Sequence, residues 1–147
     1  MFKHILIPTD GSALSRKAID NGVKFAKSIG ARVTAFTAIP NYYSEIYFDY
    51  VPPNMLTRAE YKKQAEKTAR KHLALAELMA KKMQVKYQDY IVYDDFPAEA
   101  IIKAARAKRC DLIFMASHGR RGLSKLLMGS EATNVLTHSK IPILIYR

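Results

Sequence analysis

Residues 111–132 read DLIFMASHGRRGLSKLLMGSEA. The segment Asp111 to Ser117 is apolar nearly throughout, and a run this short with little alternation reads as a strand buried on both faces, the signature of a parallel sheet. Directly after it come Gly119, Gly122 and Gly129, interleaved with Arg120, Arg121 and Lys125. Ser130 then stands where a hydroxyl side chain can cap a helix running through Val135 and Leu136 to His138. A strand, a glycine-bearing loop and a helix start in this order are one unit of an α/β fold.

The same punctuation recurs along the rest of the chain. Apolar runs occupy His4–Pro8 (HILIP), Val33–Ile39 (VTAFTAI), Val85–Tyr93 (VKYQDYIVY) and Ile141–Tyr146 (IPILIY). Between them lie helical periods. Ile19, Val23, Ala26 and Ile29 recur at three and four, with Gly30 as the stop. From about Leu56 to Met83, residues Ala65, Ala69, Leu73, Ala76, Ala80 and Met83 share a face. A further helix runs from Pro97 to about Arg109, with proline in its first turn and Ile101, Ile102 and Ala105 directed inward. The alternation β-α-β-α-β-α-β-α-β predicts a single α/β domain, residues 1–147: an open, mostly parallel five-stranded sheet with helices on both faces.

Composition bounds the function classes. At 147 residues and 49% hydrophobic, the chain is globular and sized for one core. No apolar run approaches the roughly 18 residues of a membrane span, and the start leaves no space for a signal peptide, so a cytoplasmic location is expected. One cysteine, Cys110, excludes an internal disulfide framework or a cysteine-rich metal site. Twenty-four Lys and Arg against thirteen Asp and Glu give a net charge of +11, which favours polyanionic partners without naming one.

In open parallel sheets ligands sit beyond the carboxyl ends of the strands, where the strand order reverses. Two strand ends carry suitable groups. Pro8-Thr9-Asp10-Gly11-Ser12 follows the first strand; Asp10 suits ribose hydroxyls or a base amine, and Ser12 suits a helix cap, although both also suit a plain turn. The second is the opening stretch, where Gly119, Gly122 and Gly129 permit close approach or positive φ, and Arg120, Arg121 and Lys125 suit phosphate oxygens. Neither a P-loop GK[ST] nor the GxGxxG spacing is present. An anion site and a structural turn both satisfy the pattern. If strands one and four are neighbours, the two ends flank one crevice.

These residues resemble the universal stress protein family, from HILIPTDGS through DLIFMASHGRRGLSKLLMGS to the terminal IPILIY. The family's nucleotide-binding members have a Gly-x2-Gly-x9-Gly-Ser/Thr pattern; here Gly119, nine intervening residues, Gly129 and Ser130 match its second half, and the first glycine falls on Ala116. The resemblance implies a Rossmann-like fold of the adenine nucleotide alpha hydrolase-like kind, binding ATP, with Mg²⁺ as its companion ion. It implies that Asp10 contacts adenosine with Pro8 and Thr9 beside it, and that Ala38 or Ile39 lies against adenine. Ala116, Gly119, Gly129 and Ser130 would line the phosphates, with His118 and Arg120 adjacent. It also implies a homodimer through Ile141–Tyr146 and a role as a stress-response regulator. Before Pro97 the chain departs from the family, reading Tyr93-Asp94-Asp95-Phe96, which leaves Asp95 as the candidate cap.

No catalytic residue and no metal ligand is assigned. His4, His72, His118 and His138 show no ligand spacing, and Ser130 lacks a GxSxG elbow. Cys110, beside Lys108 and Arg109, reads as a buried thiol at a helix end. Residues 58–82 hold eight Lys or Arg against three acids, yet pairs such as Lys62 with Glu66 fit a solvated helix and no nucleic-acid motif accompanies them. The alternatives are a dimer that acts through an unknown protein partner without nucleotide, and a basic nucleic-acid-binding module. The tyrosine-rich segment 40–55 reads as a lid, a partner surface or a packed excursion.

Overall fold

The computed structural model describes residues 1–42, 56–119 and 128–147. Along the chain run β1 (His4–Pro8), α1 (Ala13–Ile29), β2 (Arg32–Ile39), α2 (Arg58–Met83), β3 (Tyr87–Tyr93), α3 (Pro97–Ala107), β4 (Leu112–Ala116), α4 (Ser130–His138) and β5 (Ile143–Tyr146). The five strands form one sheet in the order β3-β2-β1-β4-β5, and every pairing is parallel. The order reverses between β1 and β4, which are neighbours through Ile5 against Leu112 and Leu6 against Ile113. The expected antecedent of a shared crevice is therefore met.

Alternation along the strands divides the core between the two faces. Ile5, Ile7, Val33, Ala35 and Phe114 pack with Ile19 and Val23 of α1 and Leu73 and Ala76 of α2. Leu6, Phe36, Ile113 and Met115 pack with Ile101, Ile102 and Ala105 of α3 and Val135 of α4. Central β1 and β4 are buried at every position, whereas the edge strands β3 and β5 are only half-covered. α1 lies unusually close to the sheet: a Cβ on Gly22 would stand 2.7 Å from Ile7 Cδ1.

Local signals account for the helix ends with two corrections, and a third falls at a strand. Ser12 caps α1 by accepting from the Ser15 N–H, and Gly30 ends it at φ 70°, as expected. α2 opens on a capping box between Thr57 and Glu60. Ser130 does not cap α4; it is the first helical residue, Gly129 is the N-cap, and no side chain caps that end. Asp95 does not cap α3. Phe96 occupies the N-cap, and Glu131 of α4 reaches across to accept from the Ala98 N–H at 2.9 Å. Asp95 instead accepts from the Asn41 backbone N–H at 2.8 Å and its amide at 3.0 Å, tying the end of β2 to the β3–α3 turn. The final strand begins at Ile143 rather than Ile141, because the Ile141 N–H is taken by the Ser139 hydroxyl.

Candidate functional site

The turn after β1 is built from its own side chains. Thr9 continues the ladder through its N–H to Phe36 O at 2.8 Å, and its hydroxyl meets Ser15 Oγ at 3.0 Å and accepts from the Gly11 N–H at 3.2 Å. Asp10 Oδ1 accepts from the Ser12 N–H at 2.9 Å. This fixes the carboxylate at the head of α1. Its other oxygen lies against Gly119, so closely that a Cβ there would land on it. One oxygen of Asp10 serves the turn while the other bridges the β1 and β4 ends.

Gly119 and Gly129, the described glycines of the β4–α4 connection, serve proximity rather than positive φ. Among described glycines, positive φ is confined to Gly11 and Gly30. Gly119 makes room for Asp10, and Gly129 for residue 118: a Cβ on Gly129 would stand 3.1 Å from His118 Cα and 3.3 Å from Ser117 O. The Gly129 N–H donates to Ser117 O at 2.8 Å, closing the loop on itself. The neck of the loop is thereby pinned, and α4 starts beside Asp10 with its positive dipole end at the crevice. Ala116 is the last residue of β4, opposite Tyr146, and holds no positive φ. Alanine carries no backbone strain at that position.

A cavity of about 620 Å³ spans these strand ends, within the range of small-molecule sites. Pro8, Thr9 and Asp10 line it from β1, Ala38 and Ile39 from β2, and Ala116, His118, Gly119, Gly129 and Ser130 from the β4–α4 side. Arg120 lies outside the described residues, as do Arg121, Gly122 and Lys125; of the segment 40–55, only residues 40–42 are described. Met115 and Ile101 extend the apolar wall beside Ala38. The charged side chains on the described lining are carboxylates, Asp10, Asp95 and Glu131, and all three accept the hydrogen bonds given above.

Composition and motif did not point to the α2 wall. Tyr61, Ala65, Thr68 and His72 line the cavity, at spacings of four, three and four. That stripe runs beside the buried one of Ala69, Leu73, Ala76 and Ala80. A period-3.6 reading of polar positions next to the apolar face contains this signal. His72 abuts Gly11, where a Cβ would meet its ring.

Other sequence candidates are placed elsewhere. Cys110 is 6% exposed at the end of α3, and burial pushes its thiol up to about 11, against a reactive thiolate. His4 is buried at the opposite end of the sheet on Thr34 Oγ1 at 2.7 Å, and His138 bonds Asn134 O within α4. Glu66 takes the Tyr93 hydroxyl at 3.1 Å. Among the described residues, no cluster of three or more His, Cys, Asp or Glu can hold a metal ion, and no helix is long and apolar enough to cross a membrane.

The whole chain, residues 1–147, matches the model of the Universal stress protein family. The universal stress protein in the QAH/OAS sulfhydrylase 3′ region of Thermus aquaticus is 31% identical over 150 residues, covering 100% of both chains. Universal stress protein YxiE of Bacillus subtilis is 30% identical over 151 residues, again covering 100% of both. The solved structure of MJ0577 from Methanocaldococcus jannaschii matches at 27% identity with a TM-score of 0.81, over 99% of this chain and 95% of that one. Three further structures share the fold: a universal stress protein in complex with cAMP (24% identity, TM-score 0.70, 99% of this chain and 97% of that), one from Archaeoglobus fulgidus with dAMP (14%, 0.71, 100% and 98%) and one from Arabidopsis thaliana with AMP bound (13%, 0.68, 97% and 90%). With a switch-point cavity built on its own TDGS turn and GS helix start, and a family match from end to end, the chain belongs to the universal stress protein family.

Proposed function

We propose that the switch-point crevice binds an adenine nucleotide, ATP with Mg²⁺, and that occupancy rather than turnover is the signal. The observation that carries this reading is the junction of Asp10 and Gly119 beside the start of α4. It puts a carboxylate suited to ribose hydroxyls next to a helix N-terminus suited to phosphate. Adenine lies on the Ala38–Ile39 side with Pro8 and Thr9 beneath. Ala116, Gly119, Gly129 and Ser130 face the phosphates, with His118 alongside, and Arg120 supplies countercharge from outside the described residues. Complexes of three relatives with cAMP, dAMP and AMP support an adenine nucleotide as the ligand class.

The protein then acts as a cytoplasmic stress-response regulator, paired through β5. That strand is bonded to β4 along one edge, and its other edge is an apolar ladder suited to a second copy. No nucleophile or general base is required of the site, so ATP persists long enough to set a conformation that a partner reads.

The test is to identify any nucleotide that co-purifies, then titrate fully stripped protein with ATP and GTP in Mg²⁺ by calorimetry. ATP is expected to bind at least tenfold more tightly than GTP. Failure of the native, stripped protein to bind ATP overturns the reading and directs the search to protein partners. Binding of DNA that collapses with salt, without adenine preference, would favour the nucleic-acid alternative.

A further inference from the structure

At the opposite end of the sheet, where the chain enters β1, β2 and β3, lies a second concavity of about 570 Å³. Lys3, Lys27, Arg32, Lys86 and Arg109 line it. They come from four separate stretches of the chain, Lys27 and Arg32 flanking the one α1–β2 turn, so their meeting is a product of topology. All five are exposed, and none forms an ion pair within 4.0 Å among the described residues. Asp111 is the one acid on the described lining. Its carboxylate accepts the Lys3 N–H at 2.8 Å and the His4 N–H at 2.9 Å, so its charge is directed at the backbone.

Cations at this end have an ordinary explanation, because α1, α2 and α3 all terminate here and helix C-termini are negative. Magnitude decides whether that suffices. Three helix ends at roughly −0.5 each, with one carboxylate, leave about two and a half of the five positive charges unbalanced. His4 in the floor adds no charge at neutral pH, since burial and then Arg32 hold its pKa below the ordinary value. The cations also surround a hollow of small-molecule size rather than following a ridge. Arg109 stands at its rim in left-handed backbone, φ 54°, where glycine would be less strained.

We infer that this amino-end cleft is a second ligand site, independent of the nucleotide crevice, for a compact anion carrying two or more phosphate groups. Lys3 and Arg32, at the entries to the adjacent strands β1 and β2, hold one phosphate, while Lys86 before β3 and Arg109 before β4 flank that pair on opposite sides and neutralise the rest of the anion. Charge supplies the affinity, which weakens as salt screens it.

The probe is inorganic tripolyphosphate, titrated into the intact protein by calorimetry at low and moderate salt, beside the Arg32→Gln/Lys86→Gln variant. Both positions are exposed, so thermal unfolding and ATP titration of the variant should match the parent. Tripolyphosphate affinity is expected to fall at least tenfold in the variant. Unchanged affinity would place the anion elsewhere and overturn the site, as would no binding to the parent at low salt. A DNA duplex that binds more tightly than tripolyphosphate and is lost in the same variant would overturn the small-ligand assignment and make this face a nucleic-acid surface.

Discussion

The two ends of the sheet differ in sign, and in opposite ways for backbone and side chains. At the carboxyl end α1, α3 and α4 begin, presenting positive dipole ends, and the described charged lining is Asp10, Asp95 and Glu131. At the amino end α1, α2 and α3 stop, presenting negative ends, and the lining is mainly Lys and Arg. Parallel topology imposes the dipoles on any sequence; side chains then answer them. What separates the ends is whether those side chains are occupied. Asp10, Asp95 and Glu131 each hold a backbone N–H in place, so the acids build the crevice. The five amino-end cations bond no carboxylate among the described residues, so they remain available to a ligand.

The largest effect is expected at Gly129. Gly129→Val drives a branched side chain into the backbone of residue 118, costing about 1–3 kcal/mol of stability from overpacking and at least roughly a hundredfold in ATP affinity, or about 2.7 kcal/mol. Ala116→Gly is the matched control. It should change affinity by less than about threefold, because the strand φ of Ala116 does not call for glycine. Calorimetry on both variants decides; a tenfold gain from Ala116→Gly would show that its methyl obstructs phosphate.

A smaller effect sharpens the role of Asp10. Gly119→Ala should displace the Asp10 carboxylate and weaken ATP about tenfold, and Asp10→Ala should do about the same. If the glycine exists to admit that carboxylate, the double variant is no worse than Asp10→Ala alone, a coupling on the order of 1 kcal/mol. Strict additivity would mean that Gly119 serves the ligand directly.

The smallest effect lies at the amino end. His4 has a lowered pKa in the folded state, so below about pH 6.5 the unfolded chain takes up a proton that the native chain refuses. Stability is therefore full above that pH and falls as pH drops toward the folded-state value, by no more than about 1.4 kcal/mol per pH unit from this group. Chemical denaturation of the parent and His4→Gln between pH 7 and 5 should show the slope in the parent alone. A parallel slope in both would remove His4 as its source.

Strand and helix identity was legible because each rests on neighbours in the chain. The run LIFMA is buried throughout as β4, and Ser12 and Gly30 cap α1 as read. Ten of the eleven residues proposed for the crevice line one cavity, Arg120 lying outside the described residues. The cap of α4 was misread by one position, Gly129 and not Ser130 preceding the first helical residue, and the cap of α3 for a different reason. Glu131 answers α3 from 33 residues away, which no local motif encodes. Tyr61, Thr68 and His72 escaped for a related reason: they read as the polar flank of a solvated helix until β2 and the TDGS turn are set opposite them.

Periodicity and short-range hydrogen bonding made the α/β alternation, the apolar strands, the capped ends of α1 and the TDGS and GS segments readable along the chain. Long-range packing set the adjacency of β1 and β4, the close approach of Gly119 to the Asp10 carboxylate, and the meeting of five cations from four stretches of the chain in one cleft. Those facts depend on strand order, and strand order is set by long-range burial of two apolar faces rather than by any residue's neighbours along the chain.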